Sequence, residues 1–247
     1  MIYLKSPAEI ELMRKSGAIL RDLLLALEEK VKPGVSTKKL DEFAYDFIKR
    51  HNAEPSFLGY GGFPASICAS IDEVVVHGIP SHRRLEEGMI IGVDVGAIFN
   101  GWQSDAARTF LVGEVSEEKK KLVETTRESF FVGVEQFKEG GRLGDISHAI
   151  QEYNEQRGYS VVRAMVGHGI GKKMHEDPQV PNFGRAGHGV RLEKGLVLAI
   201  EPMINLGTWQ VETLDDGWTC VTIDGKPSAH YENTVALTEN GAEILTL

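Results

Sequence analysis

The chain has 247 residues, of which 42% are hydrophobic and 26% are charged, and this length fits one large domain or two small ones. Its formal net charge of −9 argues against a large nucleic-acid footprint, so we expect no direct nucleic-acid specificity. The N-terminal segment has no apolar run suited to a signal peptide or a membrane span. The two cysteines, Cys68 and Cys220, form no CxxC pair, and we expect a cytoplasmic protein in a reducing compartment.

Two helices are predicted at the start of the chain. Ser6 is the expected cap of the first, with Pro7 at its first position and Glu9 completing a capping box. Ser36 is the expected cap of the second, which has apolar residues at helical spacing. Strand-like segments then dominate from about residue 66 to residue 112.

The same order recurs in the rest of the chain. Ser116 is the expected cap of a third helix, and a fourth is expected to begin at Asp145. Strand-like segments follow from about Tyr159. We therefore predict one domain over residues 1–247 with two similar halves, roughly 1–112 and 113–247, although a chance order of elements would give the same pattern. Strands grouped apart from helices favour an α+β layered fold over an alternating parallel sheet.

A hairpin over residues 89–112 places two acids. Asn100-Gly101, the preferred two-residue turn, lies between two apolar runs. In that register Gly96, which has no side chain to fill the space, faces Asp105. Asp94 then lies diagonally from Asp105 on the same face, with side-chain bases roughly 7–8 Å apart. The two carboxylates are therefore close enough to hold the same ion or neighbouring ions.

His168 lies in the glycine-rich segment Val166–Gly171. No strong helix pattern follows it, so a dinucleotide-binding loop is disfavoured. Glycines let the backbone approach closely and leave His168 projecting into a site, although a lone histidine is more often structural. His175 follows seven residues later, without the second histidine of a zincin motif. His77 ends the apolar run Val74–Val76, where a capped structural histidine is an equal alternative.

Glu201 and Glu232 each interrupt a predicted apolar strand. A carboxylate inside such a run is costly unless it is paired or bound to metal, and a solvated strand end is the alternative. Together with the hairpin acids and His168 they form one candidate metal centre: Asp94, Asp105, His168, Glu201 and Glu232. Four carboxylates carry about four negative charges, which two divalent ions would balance. Oxygen-rich sites with one imidazole suit manganese, iron or cobalt, and they admit zinc.

Five segments together carry a family resemblance: HGIP at 77–80, the Asp94–Asp105 pair, GHGIG followed by HEDP at 167–178, AIEPM at 199–203, and YENT at 231–234. In this order and spacing the chain resembles the type I methionine aminopeptidases of the metallopeptidase M24 "pita-bread" family, in their short bacterial form. The resemblance spans the whole chain. It implies an α+β fold with two pseudo-symmetric halves, a curved antiparallel sheet covered by helices on the outside, and a dimetal site between the halves.

The resemblance also implies residue roles. Asp94 would bind one ion, His168 and Glu201 the other, and Asp105 and Glu232 would bridge both. The implied catalytic residues are Glu201, His175, His77 and His168, with Glu201 as general base. The implied substrate contacts are His77, His175, Tyr60, Phe63, Cys68, Met174 and Trp218.

The reaction implied is hydrolysis of the N-terminal methionine from nascent polypeptides with a small second residue. One ion would hold the substrate α-amine, and the chain would act as a single catalytic aminopeptidase domain, expected to be a monomer. Association with the ribosome stays open. Phe57, Phe63, Met174 and Asn233 depart from the residues frequent in the family, and these departures concern the shape of the pocket rather than the reaction.

Two other functions are compatible with the same sequence features. One is another pita-bread hydrolase, such as an Xaa-Pro aminopeptidase or a creatinase-like enzyme, which usually has an extra N-terminal domain. The other is a non-catalytic binding protein on the same fold, which typically lacks some of the metal ligands.

Overall fold

The helices begin at the residues that the sequence marks as caps. The computed structural model describes residues 1–247. Its α-helices are α1 (Pro7–Glu28), α2 (Thr37–Arg50), α3 (Glu117–Val134) and α4 (Leu143–Glu155). At the start of α1, the Ser6 hydroxyl accepts a hydrogen bond from the Glu9 amide, and the Glu9 carboxylate accepts one from the Ser6 amide. The predicted capping box is therefore present.

The caps of the other helices agree with prediction in two of three cases. Ser36 and Ser116 accept hydrogen bonds from the amides three residues later, as N-caps do. Helix α4 begins earlier than predicted, because its N-cap is Arg142. Asp145 lies within the first turn, where its carboxylate accepts a hydrogen bond of 2.8 Å from the Arg142 amide.

Fifteen strands complete the fold, with one 3-10 turn at Tyr60–Gly62. The strands are β1 (Glu54–Pro55), β2 (Ile67–Ile71), β3 (Val74–Val76), β4 (Ile90–Phe99), β5 (Trp102–Leu111), β6 (Ser160–Val161), β7 (Gly167–Gly169), β8 (Glu176–Val180), β9 (Val197–Ile200), β10 (Met203–Asn205), β11 (Val211–Thr213), β12 (Cys220–Thr222), β13 (Ser228–His230), β14 (Glu232–Thr238) and β15 (Gly241–Ile244).

Nine of these strands form one antiparallel sheet in the order β1-β4-β5-β14-β9-β7-β8, with β2 also paired to β4 and β15 to β14. Two three-stranded sheets, β13-β10-β6 and β11-β12-β3, lie beside it. Strands are grouped apart from helices and every pairing is antiparallel, so the predicted α+β class is confirmed.

The predicted hairpin register is confirmed. Phe99 pairs with Trp102 and Gly96 pairs with Asp105. The turn residues Asn100 and Gly101 have φ values of 50° and 78°, the left-handed conformation that a type I′ turn requires.

Two predicted strands are each interrupted. The run 196–203 divides into β9 and β10 at Glu201-Pro202, where proline has no amide hydrogen for a ladder. The run 229–237 divides into β13 and β14 at Tyr231, whose amide donates to the Pro202 carbonyl at 3.2 Å. The first segment therefore passes from the main sheet to a small sheet and the second passes back, at the same place, and Glu201 and Glu232 lie at this crossing.

The hydrophobic core has two large parts. One packs α1 and α2 against β2, β4 and β5, with residues between Ile19 and Val112. The other packs α3 and α4 mainly against β9 and β14, with Ile90 and residues beyond Val115. The division of the chain into two similar halves stays a prediction. No helix is both long and apolar enough to cross a lipid bilayer.

Candidate metal centre

Five neighbouring strands of the main sheet each contribute one residue to a single cluster. In sheet order, β4, β5 and β14 carry an acid, an acid follows the last residue of β9, and β7 carries a histidine. These residues are Asp94, Asp105, Glu232, Glu201 and His168. They are far apart in the chain and meet because the strands that carry them are adjacent. The structure thus brings together the five residues predicted as ligands.

His168 is oriented towards the acids. Its Nε2 lies 3.6 Å from Asp105 Oδ2 and 3.7 Å from Glu201 Oε1. Its Nδ1 lies 2.9 Å from the Gly169 carbonyl, which can only accept, so Nδ1 carries the hydrogen and the Nε2 lone pair faces the cluster. A Cβ on Gly167 would lie 2.4 Å from the Ala199 carbonyl oxygen. The glycines therefore allow close approach of the backbone, as predicted.

The four acids (Asp94, Asp105, Glu201 and Glu232) have no cationic partner. Asp105 and Glu232 are buried, the other two are partly buried, and no lysine or arginine nitrogen lies within 4 Å of any of the four carboxylates. Asp94 Oδ1, Asp105 Oδ1 and Glu232 Oε1 are buried without a hydrogen-bond partner. Such oxygens are costly unless something satisfies them. Divalent cations fit this donor set of carboxylate oxygens and imidazole nitrogen.

Burial also changes the acidity of the four acids. Loss of hydration, followed by repulsion from neighbouring carboxylates, raises the pKa of Asp94, Glu201 and Glu232 well above their usual values. Burial raises the pKa of Asp105 to about 7. Without a cation, the cluster therefore holds protons near neutral pH.

His230 belongs to the cluster, although it was not predicted. Its Nε2 lies 3.8 Å from Glu201 Oε2 and 3.7 Å from Glu232 Oε2. Burial, followed by repulsion from His77 and Arg108, lowers the pKa of His230 to about 3, so the ring is neutral. His230 could have been predicted from the sequence, because it lies two residues before Glu232. In an extended chain the side chains of residues two apart lie on the same face.

Polar side chains hold the backbone of the acids. Asn182 Nδ2 donates to the Glu201 carbonyl at 2.9 Å, and Arg108 Nη1 donates to the Glu232 carbonyl at 2.6 Å. The Thr234 hydroxyl accepts from the Asp105 amide and donates to the Asp105 carbonyl, both at 2.9 Å. These supporting residues were not predicted, because contacts to distant backbone carbonyls leave no pattern in a sequence.

A cavity of about 270 Å³ opens onto the acids. Six of the seven predicted substrate contacts line it: Tyr60, Phe63, Cys68, His77, His175 and Trp218. Met174 does not line it. That side chain is 2% exposed and packs in a neighbouring apolar cluster with Trp102 and Ile170. Its terminal methyl lies beside Gly96, and its contact with substrate stays a prediction.

The aromatic and imidazole rings contact one another around the cavity. Phe63 meets Trp218 edge-on with ring centroids 5.2 Å apart, and Trp218 meets His77 edge-on at 6.5 Å. His77 follows β3 with a left-handed φ of 61°, a strained conformation for a non-glycine residue.

His175 is held between two neighbours. Its Nδ1 lies 2.7 Å from the Tyr60 hydroxyl, and its ring lies 4.3 Å from the His168 ring. Burial, followed by the proximity of His168, lowers the pKa of His175 to about 4, and burial lowers the pKa of His77. Both rings are therefore neutral at pH 7 and can donate one N–H each.

Comparison with known proteins identifies the family of this chain. The family model for metallopeptidase family M24 matches residues 11–239. The chain belongs to this family. It is 62% identical to a methionine aminopeptidase of Clostridium acetobutylicum, with 100% of this chain and 99% of the relative covered. A crystal structure of Thermotoga maritima methionine aminopeptidase superimposes with a TM-score of 0.98 at 46% identity, and the match covers 100% of this chain and 99% of that one.

Within family M24, these likenesses assign the chain to the bacterial methionine aminopeptidases and confirm the predicted resemblance and pita-bread fold. A prolidase of Pyrococcus furiosus is more distant, with a TM-score of 0.81 and 26% identity, and the match covers 99% of this chain but 65% of the prolidase. The Xaa-Pro alternative is therefore less well supported than the methionine aminopeptidase assignment.

Proposed function

We propose that this M24 enzyme removes the N-terminal methionine from peptides and nascent proteins, with a preference for a small second residue. The observation that carries the proposal is that a largely apolar cavity opens directly onto the four acids. At about 270 Å³ the cavity is smaller than the roughly 300–1,000 Å³ of sites for drug-sized ligands. It suits one side chain, with the bond to be cleaved at the acids.

The methionine side chain fits the chemistry of the cavity wall. Phe63 and Trp218 meet edge-on in the wall, and Cys68 is a small buried residue that lines the cavity from β2, paired with Asp94 of β4. An unbranched thioether adapts to an irregular apolar space and makes favourable contacts with aromatic rings. A free α-amine at the end of such a chain would lie beside the acids, where one of the two proposed ions would hold it. An internal peptide bond brings no such amine, so exopeptidase activity follows.

The cluster would hold two divalent ions, which carry the four positive charges that the four acids need. Asp94 would hold one ion, His168 and Glu201 the other, and Asp105 and Glu232 both. The bound ions would supply charge that makes a water more acidic and polarises the scissile carbonyl. Manganese, iron, cobalt and zinc all accept this mixture of donors.

Glu201 is proposed as the general base. Its carboxylate lies among the four acids, with Oε1 3.7 Å from His168 Nε2, at the end of the cavity where the scissile bond would lie. It would take a proton from the attacking water and pass it to the leaving amine. The neutral rings of His77 and His175 would donate N–H hydrogen bonds to the peptide group as its oxygen gains charge.

The test is hydrolysis of Met-Ala-Ser, with Leu-Ala-Ser as the matched control and a peptide with an Xaa-Pro start as the alternative substrate. We expect cleavage of Met-Ala-Ser that stops with a chelator and returns when manganese or cobalt is added. Faster cleavage of the Xaa-Pro peptide than of Met-Ala-Ser would contradict the proposed function and support an Xaa-Pro aminopeptidase instead. A failure of the apo-protein to take up any metal would favour the binding-protein alternative.

The cellular predictions complete this proposal. We propose nascent chain N-termini as partners, a cytoplasmic location and a monomeric state. Cys68 and Cys220 are both free and buried, which accords with a reducing compartment.

A further inference from the structure

A second imidazole faces the acids, in addition to His168. The two oxygens of Glu201 each lie near a different ring nitrogen, with Oε1 3.7 Å from His168 Nε2 and Oε2 3.8 Å from His230 Nε2. His230 Nε2 also lies 3.7 Å from Glu232 Oε2. The proposed ligand set uses His168 alone and leaves His230 without a role.

The Nε2 atom of His230 has no partner. The residue is 3% exposed, and this nitrogen is buried without a hydrogen bond. The distances of 3.7 and 3.8 Å to the carboxylates are too long for hydrogen bonds. A buried ring nitrogen that faces two acids without bonding either is costly unless another group occupies the space between them.

The position of His230 is fixed by its backbone. Its amide donates to the Thr109 hydroxyl at 2.9 Å, and that hydroxyl donates to the His230 carbonyl at 2.8 Å. In addition, β13 pairs His230 with Met203 of β10. Both polar groups of the main chain are therefore held, which fixes the Cα position from which the ring extends.

The separations between donor atoms suit a common ion. His230 Nε2, an Asp94 carboxylate oxygen and a Glu232 carboxylate oxygen all lie within 4.8 Å of one another. Donors that bind one ion at about 2.0–2.2 Å lie roughly 3–4 Å apart, so a small inward movement completes the contacts. A second group of this kind joins Asp105, His168 and Glu232.

We propose that His230 is an additional ligand of the ion held by Asp94, an inference that rests on the proposed metal-dependent function. Each of the two ions then has one imidazole donor, His168 for one and His230 for the other, and Glu232 lies between them. Without His230, the ion at Asp94 has only carboxylate and water oxygens.

The added nitrogen changes which metals the Asp94 position prefers. An all-oxygen site suits magnesium and manganese, whereas imidazole increases the preference for cobalt and zinc. Replacement of His230 should therefore weaken cobalt binding more than manganese binding. Removal of a neighbouring residue that only orients a ligand typically costs tenfold to a hundredfold in metal affinity, so loss of a direct ligand should cost at least about tenfold.

The deciding experiment is a crystal structure of the wild-type protein loaded with cobalt, with the ions located by anomalous scattering. We expect two peaks, with His230 Nε2 about 2.0–2.3 Å from the peak next to Asp94. Two peaks with this nitrogen more than about 3 Å from either ion would overturn the role of His230 and leave the proposed function intact. No ion among the acids would overturn both.

Calorimetric titration of the apo-protein supplies the matched measurement. His230→Ala should lose at least about tenfold in affinity for one of two cobalt ions, with a smaller loss for manganese. His175→Ala is the control, because His175 lies in the same cluster of rings but has no carboxylate oxygen within 4 Å. Equal affinity losses in the two variants, or none in His230→Ala, would contradict the proposal.

Discussion

Gly96 lies directly opposite Asp105 on the central hairpin, and this pairing places Asp94 and Asp105 on one face. The absence of a side chain at Gly96 also admits the neighbouring loop. A Cβ there would lie 2.8 Å from Ser56 Cβ and 2.9 Å from Phe57 Cε1. The space beside Asp105 is therefore filled by this loop, whereas the sequence alone suggested that it would be left open.

We expect Gly96→Ala to destabilise the fold by about 1–3 kcal/mol, because the new methyl group overpacks a filled site. Denaturant unfolding with constant metal content measures the change. Gly92→Ala is the control on the same strand, since its Cβ would meet Ser70 at an ordinary 3.6 Å. Equal stability of the two variants would show that the space at Gly96 is not restrictive.

Glu201→Gln tests the proposed base. The amide keeps the shape of the side chain but cannot accept the proton from water, so we expect kcat to fall about 10²–10⁴-fold with KM for Met-Ala-Ser little changed. Metal content must be measured in parallel, because Glu201 is also a proposed ligand. A metal-loaded Glu201→Gln variant with near-normal kcat would rule out the base role.

The four acids predict how metal-free stability depends on pH. Their pKa values are raised in the fold, to about 7 for Asp105 and well above normal for the others, so the folded state keeps protons that the unfolded state has lost. The free energy of unfolding should therefore fall as pH rises from 7 to 9. The pKa values of His175 and His230 are lowered to about 4 and about 3 in the fold. Because the normal histidine pKa is about 6.5, these two residues change the free energy of unfolding mainly below pH 7.

Thermal unfolding of the chelated protein at several pH values measures this dependence. Asp105→Asn should show a smaller decline, because one of the protonated acids is gone. Saturating manganese should restore stability at pH 9, since bound cations take the place of the protons. A rise in metal-free stability between pH 7 and pH 9 would contradict the account.

Tyr60→Phe removes the hydrogen bond between the Tyr60 hydroxyl and His175 Nδ1. One such bond contributes about 0.5–1.5 kcal/mol, so we expect kcat/KM for Met-Ala-Ser to fall roughly twofold to tenfold with little change in Tm. Tyr45→Phe is the control, because Tyr45 is exposed on α2 and makes no side-chain hydrogen bond. Equal kinetics in both variants would show that His175 needs no orientation by Tyr60.

Much of the fold could be predicted because its signals are local. The capping box at Ser6, the caps at Ser36 and Ser116 and the Asn100-Gly101 turn each depend on neighbouring residues, and each is present. Errors occurred where distant contacts decide. The interruption of the strand at Glu201 and Pro202 was predicted, but not the change of sheets there, where the Tyr231 amide donates to the Pro202 carbonyl.

The sequence by itself determined the starts of α1, α2 and α3 and the hairpin register, and it marked five candidate cation ligands, because capping, turn chemistry and ligand type are local properties. Only the tertiary structure decided that β4, β5, β14, β9 and β7 are neighbours. That order brings His230 to the acids, and tertiary packing places Met174 in one apolar cluster with Trp102 and Ile170. Sheet order and side-chain packing depend on contacts between residues far apart in the chain, which the properties of single segments do not specify.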